Sequence, residues 1–266
     1  MGYPEPILFK AIRFLRRLFP PSARFAIRQM LFRWLDLRWT LASGILIRIE
    51  NYADWVVYNE IFVDGAYDAA IRMAVESSGK HAPLRVIDLG ANVGFFALRV
   101  VDLLRRDTGD STQFTIDAIE GNPALIAGLH SRLITDNSLS RHVRIIPGLI
   151  GERGGKATLY KSYSHSHGSI IPGSGTHGPS VPYVDLSRLF SPEAQFDLLK
   201  CDIEGAELLF IERYPDLLQR VRVAVFELHD HLSDSDRCRA LLKDLGFSGA
   251  TVVRDTHPCS LYCVWR

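Results

Sequence analysis

From residue 84 to the end of the chain, short apolar runs alternate with stretches of helical period. LRVIDLG (84–90) is an apolar run ending in glycine, the pattern of a strand buried on both faces. Residues 94–106 follow with helical spacing. Strands are then predicted at 113–120, 142–148, 196–205 and 221–228, with helices at 123–136, 206–213 and 232–245. Repeated βαβ units dictate a mostly parallel sheet with right-handed crossovers. The tail adds two runs, ATVVRD and SLYCVWR, on either side of His257-Pro258. So short a connection cannot hold a crossover helix, so the two runs are predicted to form an antiparallel hairpin. The expectation is an α/β fold with a mostly parallel seven-stranded sheet. Residues 151–180, rich in Gly, Ser and His, interrupt the pattern. They read as a short β excursion (KATLY) followed by a long loop, the kind of connection that usually carries function.

The first fifty residues differ in character. They hold nine Lys/Arg and three acids, a balance of +6 in a chain whose net charge is +1. Apolar positions 8, 12, 15 and 19 recur at helical spacing until Pro20 and Pro21. A second helix is predicted from Ser22, a plausible N-cap, to about Leu41. The 266 residues are therefore divided into a basic amphipathic helical segment, 1–50, and one main domain, 51–266. The segment has two readings: a cap packed on the domain, or a membrane-surface contact through residues 7–41.

No window of about 18 uncharged apolar residues exists, so no membrane-spanning helix is expected. The charges at Lys10, Arg13, Arg16 and Arg17 leave no signal-peptide core. Cys201, Cys238, Cys259 and Cys263 form no Cys-x-x-Cys pair and read as reduced thiols. The expected location is cytoplasmic, with a peripheral membrane contact as the variant.

Four motifs fall at predicted strand ends, where open parallel sheets bind ligands. The first is Asp88-Leu89-Gly90-Ala91-Asn92-Val93-Gly94-Phe95. Gly90 lets the chain turn and a ligand approach, and Gly94 lets a helix start close to the sheet. Its G-x-x-x-G spacing differs from the G-x-G-x-x-G of dinucleotide sites. Asp88 suits a cationic amino group better than a pyrophosphate. The second is Glu120-Gly121-Asn122-Pro123, with Glu120 placed to accept from a ribose diol. The third, Lys200-Cys201-Asp202-Ile203-Glu204-Gly205-Ala206-Glu207, brings three acids to one strand end. Glu207 reads best as a helix N-terminal acid. The fourth is Glu227-Leu228-His229, with His229 a candidate base.

Together, D-x-G-A-N-x-G, E-G-N-P, K-x-D-x-E-G-A-E and E-x-H resemble the FkbM-type methyltransferase family over about residues 55–266. The resemblance implies a class I methyltransferase Rossmann-like fold, S-adenosyl-L-methionine as cofactor, and O-methyl transfer to a hydroxyl of a sugar, glycan, glycolipid or natural product. It carries Asp88, Gly90, Ala91, Asn92, Gly94, Phe95, Glu120 and Asn122 over as cofactor residues. Asp202, Glu204 and His229 carry over as catalytic residues, with Asp202 or His229 taking the proton. No metal is expected, although the last three are ligand types that a divalent cation accepts. His165 and His167 are candidates for a lid over the acceptor.

The partner expected is a small molecule or glycan, with no specific nucleic acid, and the oligomeric state is open. Competing readings are an RNA or protein methyltransferase and a non-catalytic module that keeps the fold. Vesicle co-sedimentation with and without the basic segment separates its two readings. A membrane contact predicts that binding is lost with the segment, and a cap predicts no vesicle binding in either form.

Overall fold

A computed structural model describes Met30, Phe32, Leu35 and residues 37–78, 83–109, 113–161, 168–169 and 177–266. The chain begins there with a hairpin, β1 (Leu37–Thr40) and β2 (Leu46–Ile49), followed by α1 (Tyr52–Tyr58), a π-helical turn at Asn59–Val63, and α2 (Asp68–Ser77). The βα units follow as β3 (Leu84–Leu89), α3 (Phe95–Thr108), β4 (Phe114–Glu120), α4 (Pro123–His130) and β5 (Val143–Pro147). Next come β6 (Lys156–Lys161), β7 (Gly168–Ser169), β8 (His177–Pro182) and α5 (Leu186–Leu189). The second half continues with β9 (Phe196–Cys201), α6 (Glu207–Arg213), α7 (Pro215–Leu218), β10 (Val221–His229) and α8 (Ser235–Asp244). It ends with β11 (Gly249–Thr256) and β12 (Cys259–Trp265).

The main sheet has seven strands in the order β11-β12-β10-β9-β3-β4-β5. The five strands β3, β4, β5, β9 and β10 run parallel, and β12 pairs antiparallel with both β10 and β11. This is the class I methyltransferase arrangement. Strand β3 is the first of the sheet yet lies in its middle. The chain winds outward to β5, then crosses back to β9 on the other side. The crevice between β3 and β9 is therefore the topological switch point.

Alternation along each strand divides the core into two layers. Leu84 and Val86 face one cluster, shared with Phe96, Leu98 and Val101 of α3. Ile87 and Leu89 face the other, shared with Phe210, Leu218 and Leu242. Helix starts follow local chemistry. Asn122 caps α4 through a bond to the Ala124 N–H, with Pro123 in the first turn, and Asp234 caps α8 in the same way through Arg237.

Three expectations are corrected. The helix expected to reach Leu41 is replaced at Leu37–Thr40 by β1, because Leu37 and Trp39 alternate with outward residues and the turn at Gly44 (φ +79°) folds β2 back. Ile45, Ile47 and Ile49 enter the same core as α3, so position 50 is no packing boundary. Lastly, part of the expected loop is strand, since β8 returns to pair with β6 in a three-stranded sheet, β7-β6-β8. The segment 7–29, His165 and His167 lie outside the described residues. Among the described residues, no helix is long and apolar enough to cross a membrane.

Arg132 fastens the hairpin and α1 to the main domain. Its side chain is 3% exposed, bonds to Asp54, reaches Glu50 at 3.2 Å and donates to the Arg48 carbonyl at 3.3 Å. Removing one partner of such a pair strands a buried charge. Arg132→Ala is expected to cost about 3–5 kcal/mol of unfolding free energy, read by urea denaturation. Because the hairpin is core, a basic-segment deletion that spares the fold ends before Leu37.

Candidate active site

The ends of β3, β4 and β9 are stitched together by backbone. The N–H groups of Gly90 and Ala91 both donate to the Ile119 carbonyl at 2.9 Å, and the Asp202 N–H donates to the Leu89 carbonyl at 3.1 Å. Gly90 has φ +76°, and a Cβ there would sit 1.8 Å from the Asp202 carbonyl oxygen. Only glycine lets β3 and β9 approach this closely. Asn92 also adopts the left-handed region, at φ +51°, which asparagine tolerates better than most residues.

Glu120 organises the next wall. One carboxylate oxygen accepts the Asn92 N–H at 2.7 Å and the other accepts the Asn122 N–H at 2.6 Å. The acid therefore sets the loops after β3 and β4 at once. Burial raises its pKa, and these two amides oppose the rise.

An open cleft follows these loops. Its lining combines the polar Gly90, Asn92, Glu120, Asn122, Asp202 and Glu204 with the apolar Ile119, Leu125, Leu149 and Leu159. Six expected site residues are thus brought to one cavity. Asp88, Ala91, Gly94, Phe95 and His229 are not on its wall. Ala91 is buried, Gly94 packs its Cα against Leu129 and Leu133, and Phe95 meets Tyr58 and Phe62 edge-on.

Asp88 is fully buried beside the Lys200 ammonium, 3.4 Å away. Neither of its oxygens has a donor in hydrogen-bond geometry, and burial raises its pKa against the pull of Lys200. Lys200 Nζ donates to the Gly90 carbonyl at 2.6 Å and reaches Asp202 at 3.4 Å. Burial disfavours its charge, but Asp202 and Asp88 prevail and its pKa rises. The motif reading gave Lys200 no role. The signal was present, because a lysine inside the apolar run FDLLKCD must be buried, and buried lysines are nearly always paired.

Beyond Asp202 the chain turns through Glu204 (φ +53°) and Gly205 (φ +97°) into α6. Glu207, fully buried, accepts the Ile203 and Gly205 N–H groups at 3.3 and 3.1 Å. The same oxygen lies 3.0 Å from His229 Nδ1, while His229 Nε2 lies 3.5 Å from Glu204. Glu207 is thus a helix N-terminal acid, as read, and also the partner of His229. Burial opposes a charge on His229, but Glu207, Glu204 and Asp202 push its pKa up to about 10. Burial and Asp202 push Glu204 up to about 8. Burial, Asp202 and Glu60 push Glu227 up to about 7, against His229 and Arg254. Arg254, 2.8 Å from Glu60 and 3.5 Å from Glu227, is a further cation at this end of the sheet.

The model of the Methyltransferase FkbM domain matches residues 88–248, more than half of the chain. No curated protein matched the sequence. Among solved structures, methyltransferase FkbM from Methylobacillus flagellatus KT is 13% identical, with a TM-score of 0.49 over 69% of this chain. This chain spans only 44% of that protein's length. The N-terminal domain of human METTL16 in complex with SAH is 16% identical, with a TM-score of 0.45 over 92% of this chain and 94% of that one. Precorrin-6y C5,15-methyltransferase from Geobacter metallireducens GS-15 is 12% identical, with a TM-score of 0.42 over 74% of this chain and 87% of that one.

Lys200→Met leaves Asp88 buried without a counter-charge. It is expected to destabilise the fold by about 3–5 kcal/mol in urea denaturation. In a double-mutant cycle with Asp88→Asn, part of that loss returns as a coupling of about 0.5–3 kcal/mol.

Proposed function

As the chain belongs to the FkbM methyltransferase family, we propose that it is an S-adenosylmethionine-dependent O-methyltransferase acting on a hydroxyl of a sugar, glycan or natural product. The observation that carries this reading is the cleft at the switch point, whose lining combines Glu120 and two asparagines with Leu125, Leu149 and Leu159.

The cleft fits the cofactor. Gly90 forms a cradle that any Cβ would fill, and the buried Asn92 Oδ1 has no hydrogen-bond partner. Glu120 uses each oxygen once on a backbone amide, and a carboxylate has about four acceptor positions, so it can still accept from a ribose diol. Leu125 and Leu149 suit the faces of a purine. When bound, S-adenosylmethionine supplies a methyl group on a sulfonium. Asp88, expected to take the cofactor's amino group directly, acts in this reading through the loop it supports, because it is fully buried.

The remaining work belongs to Asp202 and Glu204. Their carboxylates line the cleft and can accept hydrogen bonds from adjacent hydroxyls, as a sugar diol offers. Such contacts orient the acceptor and receive its proton as the oxygen becomes nucleophilic. His229 stands off the wall and is held protonated by its acidic neighbours, so it is not the proton acceptor, whereas Glu204, pushed up to about 8, becomes one as the pH rises through that value.

Calorimetric titration of S-adenosylmethionine tests the reading. The wild-type chain is expected to bind at micromolar concentration. Glu120→Ala, checked for folding by circular dichroism, is expected to weaken binding by at least about tenfold, or 1.4 kcal/mol. A folded wild-type protein that binds nothing overturns the proposal.

A further inference from the structure

We propose that Asp202, Glu204 and His229 form a divalent-cation site at the ends of β9 and β10. Each offers one ligand atom, and the three atoms all lie within 4.8 Å of one another. Metal bonds of roughly 2.1 Å put neighbouring donors about 3.0–3.4 Å apart. The 3.5 Å between His229 Nε2 and Glu204 lies just above that spacing, so a small closing of the pair reaches it. Asp202, at a strand end and 23% exposed, needs only a side-chain adjustment.

The independent observation is behind the histidine. A ligating imidazole characteristically gives its other N–H to a carboxylate, which fixes the tautomer and the ring. Glu207 is in that place, fully buried, 3.0 Å from Nδ1. It is itself held by the N–H groups of Ile203 and Gly205. With Nδ1 tied back, Nε2 is the nitrogen facing Glu204, and a cation bound there displaces the Nε2 proton to solvent. A pre-oriented imidazole beside two carboxylates has the arrangement of a metal site, rather than of a simple ion pair.

Charge favours an added cation. Lys200 stands 3.4 Å from one oxygen of Asp202, but Asp88 and the Gly90 carbonyl share that ammonium. Among the described residues, the carboxylates of Asp202, Glu204 and Glu207 converge on the one imidazole of His229. Two oxygens and one imidazole nitrogen, with no thiolate, suit Mn2+ or a similar ion. A second grouping, Glu227, His229 and Cys259, competes for the same histidine and would draw a softer metal. The short approach of Glu204 to Nε2 and the open cleft beside Asp202 and Glu204 favour the first set. A role for the ion in holding the acceptor oxygen rests on the methyl-transfer reading, whereas the site itself does not.

The test uses metal-stripped full-length protein and Mn2+ alone, without cofactor or acceptor. Electron paramagnetic resonance of free Mn2+ gives the affinity, and electron spin-echo modulation reports whether an imidazole nitrogen is bound. The expected result is one Mn2+ per chain with nitrogen coupling. Glu204→Gln and Glu207→Gln are expected to weaken binding by at least about tenfold, and Cys259→Ser to leave it unchanged. No binding at millimolar Mn2+, binding without nitrogen coupling in the wild type, or loss of binding in Cys259→Ser would overturn the site. Titrating S-adenosylmethionine into the same preparation separates the two proposals, since cofactor binding does not need these ligands.

Discussion

A single buried ammonium organises the mouth of the sheet. Lys200 rises from the C-terminal end of β9 between Asp88 on β3 and Asp202 just beyond its own strand, and it holds the Gly90 carbonyl. Burying a lysine is costly, and so is burying an aspartate. Each is tolerable here because the other is present. The pair sits where the chain reverses its winding direction, so it joins the first half of the sheet to the second. The close pass of Gly90 over Asp202 depends on this join. A larger residue at 90, or an unpaired charge at 88, would force apart the two strand ends that frame the cleft.

Two glutamates extend the same principle outward. Glu120 gathers backbone amides from the loops after β3 and β4, and Glu207 gathers them from the turn between β9 and α6. Each acid uses its charge to fix loop backbone, which a neutral side chain would do more weakly. The loops are therefore held in place before any ligand arrives. Preorganisation of this kind limits the ordering cost of binding.

The strands of the main sheet were legible because buried parallel strands are written as continuous apolar runs. LRVIDLG and VRVAVFEL announce themselves. The C-terminal hairpin was legible because its connection is too short for a helix. The hairpin β1–β2 was not. Its strands are short, and basic and aromatic residues in LDLRWT mimic the helical pattern before them. Contact with α1 and with the π-helical turn at Ser131–Asp136 selects the extended form, by giving Ile45, Ile47 and Ile49 a core to enter. Within the site, the residues of the cleft wall were readable from their strand-end positions. Which of them face the cleft was not, and Asp88 is the clearest case: it occupies the expected position yet is turned inward to Lys200.

By itself the sequence determined the α/β class, the order of the main-sheet strands, the family resemblance and the set of polar residues at strand ends. Those features depend on periodicity, glycine placement and local motif spacing, all of which are properties of neighbouring residues. Tertiary structure alone decided the pairings: Lys200 with Asp88, Glu207 with His229, Arg132 with Asp54, and Glu120 with the amides of two loops. Those partners lie on different elements. Burial and charge, rather than local propensity, select which of them meet.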